Sequence, residues 1–330
     1  MLACAVLGLV ATCGLYWAIG GRAFADFATY ADIAEELGAR GANLSVLGPE
    51  GLSRGLLRFF RIVFGEADPA VQAMALLAQI LVALGLALAA RRREILRSNL
   101  LLAVALYAPL LALITIRATP AYLVCSVAVA HARLTDRPAV RWVAAAGLGA
   151  LFFHLSAAFV VAAAALAACV PRRVTRTGLF AGAAAAGVAA FALRQSVDVG
   201  TVLTFAGSAT VLANPLFAER LAYFTDAASP VSVWHLVYFV VASALVLRVL
   251  FTSPPHPSDR LVLSLFALYC ASLISPVVAF RNSYYLLLPL VVTARRPVLP
   301  FGEAALGQAL TAAVCAVLLV FSISGVLQPG

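Results

Sequence analysis

The sequence predicts an all-α fold: a polytopic transmembrane helical bundle of about ten or eleven membrane helices, some of them short or broken. Three observations predict it. Of 330 residues, 64% are hydrophobic and only 11% charged, whereas a soluble domain is about 45–50% apolar and about 25% charged. The apolar residues run in continuous Ala/Leu/Val blocks, unlike the alternating ~10-residue segments of a membrane β-barrel. All 23 basic residues are Arg, and most stand in clusters between the blocks. The same composition excludes a disordered chain and a disulfide scaffold.

The blocks that fit helical spans are 2–20, 70–90, 98–116, 118–132, 142–153, 154–170, 177–193, 233–251, 261–279, 283–294 and 304–324. The first lacks a basic leading region and an A-x-A cleavage site, so it is read as a retained helix. A full crossing takes ~20 residues, with ~17 as a practical minimum. Segments 118–132, 142–153, 154–170 and 283–294 are therefore short or half-length helices, tolerated where protein surrounds them and often found lining cavities. The six cysteines lie in or at the edge of apolar runs without a CxxC pair and read as small hydrophobes.

Orientation follows from four arginine groups: Arg91, Arg92, Arg93 and Arg97; Arg133, Arg137 and Arg141; Arg172, Arg173 and Arg176; and Arg295 with Arg296. Placing all four inside, as the positive-inside rule asks, requires 142–153 and 154–170 to cross separately with a turn near His154. The inside then carries 14 Arg and four acids, the outside nine Arg and ten acids. The net charge of +9 is thus a topology signal, and nucleic acid is excluded as a partner. The N-terminus is expected inside and the C-terminus outside.

Two segments break the hairpin pattern, both external in this topology, so residues 1–330 read as one integral membrane domain with loops 22–69 and 194–232. The first holds seven of the 14 acids, and its stretches 24–37 and 53–64 mix apolar and charged residues at helical spacing. Leu57, Phe60 and Phe64 beside Arg54, Arg58 and Arg61 suggest a helix lying at a membrane interface. The second loop is polar and contains Tyr223. Loops this long are uncommon unless functional.

Charges at the ends of apolar runs are informative because a membrane tolerates them only when paired or solvated. Arg117, in Ile116-Arg117-Ala118-Thr119-Pro120, reads either as an interfacial arginine reaching water or as a cation held at the mouth of a cavity for an anionic group. Arg281 reads as lying at the outer turn between two helices and is its natural partner; two guanidinium forks suit the oxygens of a diphosphate. His154 stands at the inferred turn near Ser156, either as a hydrogen-bonded structural residue or as part of a site. Asp26 and Tyr30 share one helix face at i, i+4. Glu50 sits in a Pro-Glu-Gly turn, and an external carboxylate there could serve as a general base. No GxGxxG, P-loop, HExxH or nucleophile elbow occurs, so neither cofactor nor metal is expected.

These features, in this order, resemble the EpsG-type exopolysaccharide polymerases, distant relatives of the Wzy O-antigen polymerases. The resemblance rests on D-x-x-x-Y at Asp26/Tyr30, an acidic turn at Pro49-Glu50-Gly51-Leu52 before an amphipathic helix, Ile116-Arg117, Phe153-His154-Leu155-Ser156, and Arg281-Asn282-Ser283-Tyr284. The chain departs from the family in the Pro-Glu order and in Ala118. The resemblance implies an enzyme of the bacterial inner membrane joining undecaprenyl-diphosphate-linked oligosaccharide units at the periplasmic face, with a flippase and a chain-length regulator as partners. Arg117 and Arg281 would hold the diphosphate, and His154, Asp26 or Glu50 would orient or deprotonate the acceptor hydroxyl. Tyr30, Tyr223, Tyr284 and Tyr285 would meet the glycan. Two alternatives stand beside it: a GT-C glycosyltransferase using a polyprenyl-phosphate sugar, and a flippase or transporter of lipid-linked glycans.

Overall fold

A computed structural model describes residues 1–24, 26–39, 50–135, 140–171, 173–196, 233–301 and 304–324. The loop expected at 194–232, Tyr223 included, lies almost wholly outside the described residues. Within them the chain is all-helical, with thirteen α-helices. Five apolar stretches, Leu2–Ile19, Ala67–Ala90, Arg97–Ile114, Arg176–Leu193 and Ala305–Ser324, are long and apolar enough to cross a membrane by length and composition.

The helices are α1 (Leu2–Ile19), α2 (Phe27–Ala39), α3 (Gly51–Phe64), α4 (Ala67–Ala90), α5 (Arg97–Pro109), α6 (Thr119–Leu134), α7 (Val140–Ala150), α8 (Ala158–Cys169), α9 (Arg176–Ser196), α10 (Val233–Phe251), α11 (Asp259–Ser272), α12 (Pro276–Val292) and α13 (Ala305–Ser324). Helices α5, α6, α11 and α12 form the centre, where residues such as Leu101, Tyr122, Phe266 and Leu286 are all but inaccessible. Around them α1, α4, α9, α10 and α13 keep large apolar side chains outward, among them Val10, Leu84, Val188 and Val320. Such an exposed apolar surface is abnormal for a soluble monomer and normal against lipid.

The described arginines of the four groups lie at one end of the bundle, where polar side chains bind its loops to one another. Asn99 Nδ2 donates to the carbonyls of Ala294 (3.0 Å) and Arg296 (3.1 Å), and its Oδ1 accepts the Val298 N–H at 2.9 Å. Asp259, at the start of α11, accepts from Arg176 at 2.8 Å and from the His256 N–H at 2.9 Å. Arg133 lies 3.7 Å from the same carboxylate and donates to Thr293 Oγ1 at 3.0 Å.

At the opposite end, α2 and α3 lie across α4, beside the segment that follows α5. Tyr16, Phe24, Phe27, Leu57 and Met74 fill the contact in a second apolar cluster. Helix α3 has the two-faced character the sequence gives it: Leu57 and Ser53 are buried, while Phe59, Ile62 and Val63 are exposed beside its arginines.

One boundary differs from the sequence reading. The break before the last central helix falls at 273–275, and Pro276 opens α12. Proline at the first helical position has no N–H to leave unpaired and a φ already set for helix. Arg281 therefore projects from the second turn of α12 rather than from an inter-helix turn. The expected break near His154 is present, with α7 ending at Ala150 and α8 starting at Ala158. Gly147 allows these two short helices to approach, since a Cβ there would lie 2.8 Å from Val161 Cγ2.

Candidate functional site

The α2/α3 end of the bundle gathers the described residues singled out from the sequence. Their placement begins with how α5 ends. Pro109 has no N–H to give, and the next five residues, Leu110–Ile114, wind as a π-helix, a form that recurs at functional sites. Threonine hydroxyls add to the backbone hydrogen bonds that close this segment. Thr115 Oγ1 donates to Leu110 O at 3.0 Å, and Thr119 Oγ1 to Leu111 O at 2.6 Å and Thr115 O at 2.9 Å. The tight connection holds Arg117 at only 8% exposure.

Glu50 is carried to Arg117 by a second backbone device. Its N–H donates to Leu151 O at 2.8 Å and the Leu52 N–H to Phe152 O at 2.9 Å, tying the start of α3 to the α7–α8 turn. Glu50 Oε2 then lies 3.6 Å from Arg117 Nη2, and Oε1 lies 3.7 Å from His154 Nε2 while accepting the Leu155 N–H at 3.3 Å. Both charged side chains are more than nine-tenths buried. Arg117 also stands over the Tyr30 ring at 5.6 Å, a cation–π arrangement. Its Nε and Nη1 have no hydrogen-bond partner, and an orphaned buried donor of this kind calls for a physical reason.

His154 caps a short 3₁₀ turn, Leu155–Ala157: its Nδ1 accepts the Ser156 N–H at 3.1 Å and lies 2.7 Å from Ser156 Oγ. In the neutral ring the proton is thereby assigned to Nε2, facing Glu50. Ser156 Oγ is 2.8 Å from Tyr285 OH, so a polar chain runs from Arg117 through Glu50, His154 and Ser156 to Tyr285. Tyr284 and Tyr285 are fully buried rather than presented at a surface, and both pack on Tyr122, with ring centroids 4.8 and 4.7 Å away. Tyr122 also stacks with His154 at 6.4 Å. Tyr122 escapes sequence reasoning: one tyrosine in an apolar run carries no local signal.

Arg281 Nη2 and Asp26 Oδ2 are 3.9 Å apart and about 30% exposed, so this pair is the open part of the site. Burial pushes the Tyr30 phenol well above its ordinary pKa; among the nearby charges, Arg117 and Arg281 oppose the rise and Asp26 adds to it. Both guanidiniums thus act on one hydroxyl.

Backbone strain marks the same place. Among the described residues, the non-glycine positions with positive φ are Asp26 (69°) and Glu50 (64°). The left-handed region costs an ordinary L-residue roughly 1–2 kcal/mol; aspartate tolerates it better than glutamate. Strain of this sort persists where the surroundings over-determine it, and it clusters at functional sites.

No protein-family model, curated protein or solved structure matches the chain.

Proposed function

We propose that the protein is a membrane glycosyltransferase that polymerises oligosaccharide units carried on undecaprenyl diphosphate, working at the periplasmic face of a bacterial inner membrane. The observation that carries the reading is Arg117: a buried guanidinium with two unpaired N–H-bearing atoms, held 3.6 Å from the strained Glu50 carboxylate. A diphosphate oxygen fits those donors in charge and in hydrogen bonding.

In this reading Arg117 and Arg281 bind the donor's diphosphate. The acceptor hydroxyl oxygen bonds to the donor's anomeric carbon as the bond from that carbon to the diphosphate breaks. The electron pair leaves on the diphosphate, where the two arginines stabilise the growing charge. Asp26 takes the hydroxyl proton, because it is the accessible carboxylate of the site. Glu50, enclosed by Arg117 and His154, instead fixes the first arginine, and His154 orients Glu50. Tyr30, its ring against Arg117, meets the sugar nearest the diphosphate.

Separate Arg117→Ala and Arg281→Ala substitutions, with expression verified, test the clamp. Each lowers polymer formation by about 10²–10³-fold, the usual cost of removing one preorganised donor to a developing charge. Undiminished polymerisation in both variants overturns it. A transferase using a monophosphate donor adds one sugar per turnover, so the product ladder separates the two enzyme readings.

A further inference from the structure

The far end of the bundle holds two adjoining cavities that the proposed chemistry does not use. One is an apolar groove of about 520 Å³ walled by α4, α5, α6 and α12 through Leu86, Val104, Tyr107, Leu123 and Leu288. Arg91 and Arg92 stand at its mouth. The other is a polar pocket of about 330 Å³ that includes Arg133, Arg295 and Thr293. Glu94 and Leu134 line both, so the two open into a common region.

We infer that together they form a binding site for one anionic phospholipid, its phosphate among these arginines and one hydrocarbon chain in the groove. Three observations fit that occupant. From Leu100 to Leu111 the groove follows its helix for about 16 Å at 1.5 Å per residue, enough for the chain of one leaflet, half of a ~30 Å hydrocarbon core. Leu88 and Val127 line the groove yet are 51% and 57% exposed, so it opens sideways, where a second chain can remain among neighbouring lipids. Four guanidiniums border the cavities against two carboxylates, and Asp259 is already engaged by Arg176 at 2.8 Å. Arg133 supplies the most specific signal: its side chain is 8% exposed, and its Nη1, 3.7 Å from Asp259 Oδ1, makes no hydrogen bond. Basic pockets between membrane helices bind anionic headgroups by this combination of charge and enclosure. Tyr107, whose ring centroid is 5.5 Å from that of Tyr284, lines the same groove.

The test is native mass spectrometry of the full-length protein in detergent, offered equal amounts of phosphatidylglycerol and phosphatidylcholine with identical chains. The wild type retains phosphatidylglycerol with a preference of about tenfold or more, as several arginines near one phosphate require. A triple Arg91→Gln, Arg92→Gln, Arg295→Gln variant binds both lipids alike. Ala130→Phe, which fills the groove from α6, binds neither. Millimolar inorganic phosphate leaves the lipid in place. Equal retention of the two lipids by the wild type overturns the proposal, as does an undiminished preference in the triple variant or unchanged binding in Ala130→Phe. Displacement by inorganic phosphate marks a free-anion site instead, and preferential displacement by polyprenyl phosphate assigns the groove to the carrier chain.

Discussion

Glu50 and Asp26 share an unfavourable backbone conformation but sit in different surroundings, and that difference separates their roles. Glu50 is 4% exposed at its side chain and faces Arg117, whereas Asp26 is 31% exposed and only loosely paired with Arg281. Removing one partner of a buried ion pair costs about 3–5 kcal/mol, because the other charge is left uncompensated. Glu50→Gln is therefore expected to lower the thermal unfolding midpoint in detergent as well as turnover. Asp26→Asn is expected to leave stability within about 0.5 kcal/mol while slowing turnover by about 10²–10⁴-fold, the worth of a positioned base. Wild-type turnover in Asp26→Asn would remove that residue from the chemistry. Tyr30 gives a third expectation. Its phenol is held above the ordinary tyrosine value, first by burial; the neutral form persists below that raised value, and ionisation comes only above it. The pH–rate profiles of wild type and Tyr30→Phe should therefore share one shape from neutral to mildly alkaline pH. A limb present in the wild type and missing from Tyr30→Phe would show that the phenol titrates in turnover.

Among the elements, the α7–α8 hairpin matters most, since its turn supplies His154 and Ser156 and also the carbonyls that hold Glu50. Gly147→Val should wedge the two helices apart, at the typical overpacking cost of about 1–3 kcal/mol. Activity should fall although no residue of the polar chain is changed, which parallel unfolding and polymer assays would show. That hairpin was legible in sequence because a single span there would strand Arg172, Arg173 and Arg176 on the wrong side. Helix α3 was legible from its arginines alternating with Leu and Phe. The start of α12 was not: the apolar run through Val278 and Phe280 hides a boundary that Ser275 and Pro276 set. Likewise, Asp26, Tyr30, Glu50, Arg117, His154 and Arg281 were each visible as polar residues beside apolar runs. Their division into a buried Glu50–Arg117–His154 group and an open Asp26–Arg281 pair depends on how α2, α3, α6 and α12 meet. No local pattern encodes that meeting. The Arg133–Asp259–Arg176 linkage and the packing of Tyr122 were hidden for the same reason.

At the scale of the whole molecule, the bundle has two chemically distinct ends. One collects arginines on loops tied together by Asn99 and Asp259. The other collects the strained carboxylates, His154 and the orphaned donors of Arg117. In the proposed reading, an enzyme joining lipid-linked glycans outside the membrane places its charge-stabilising groups at the end opposite the arginine-rich one, which the positive-inside rule assigns to the cytoplasm. The most direct test of this account is to identify the lipid-linked glycans that accumulate in cells lacking the protein. Complete single repeat units on undecaprenyl diphosphate, accessible at the outer leaflet, are the predicted result. Truncated units would point to a single-sugar transferase, and complete units confined to the inner leaflet would point to a flippase. Either outcome would contradict the polymerase assignment.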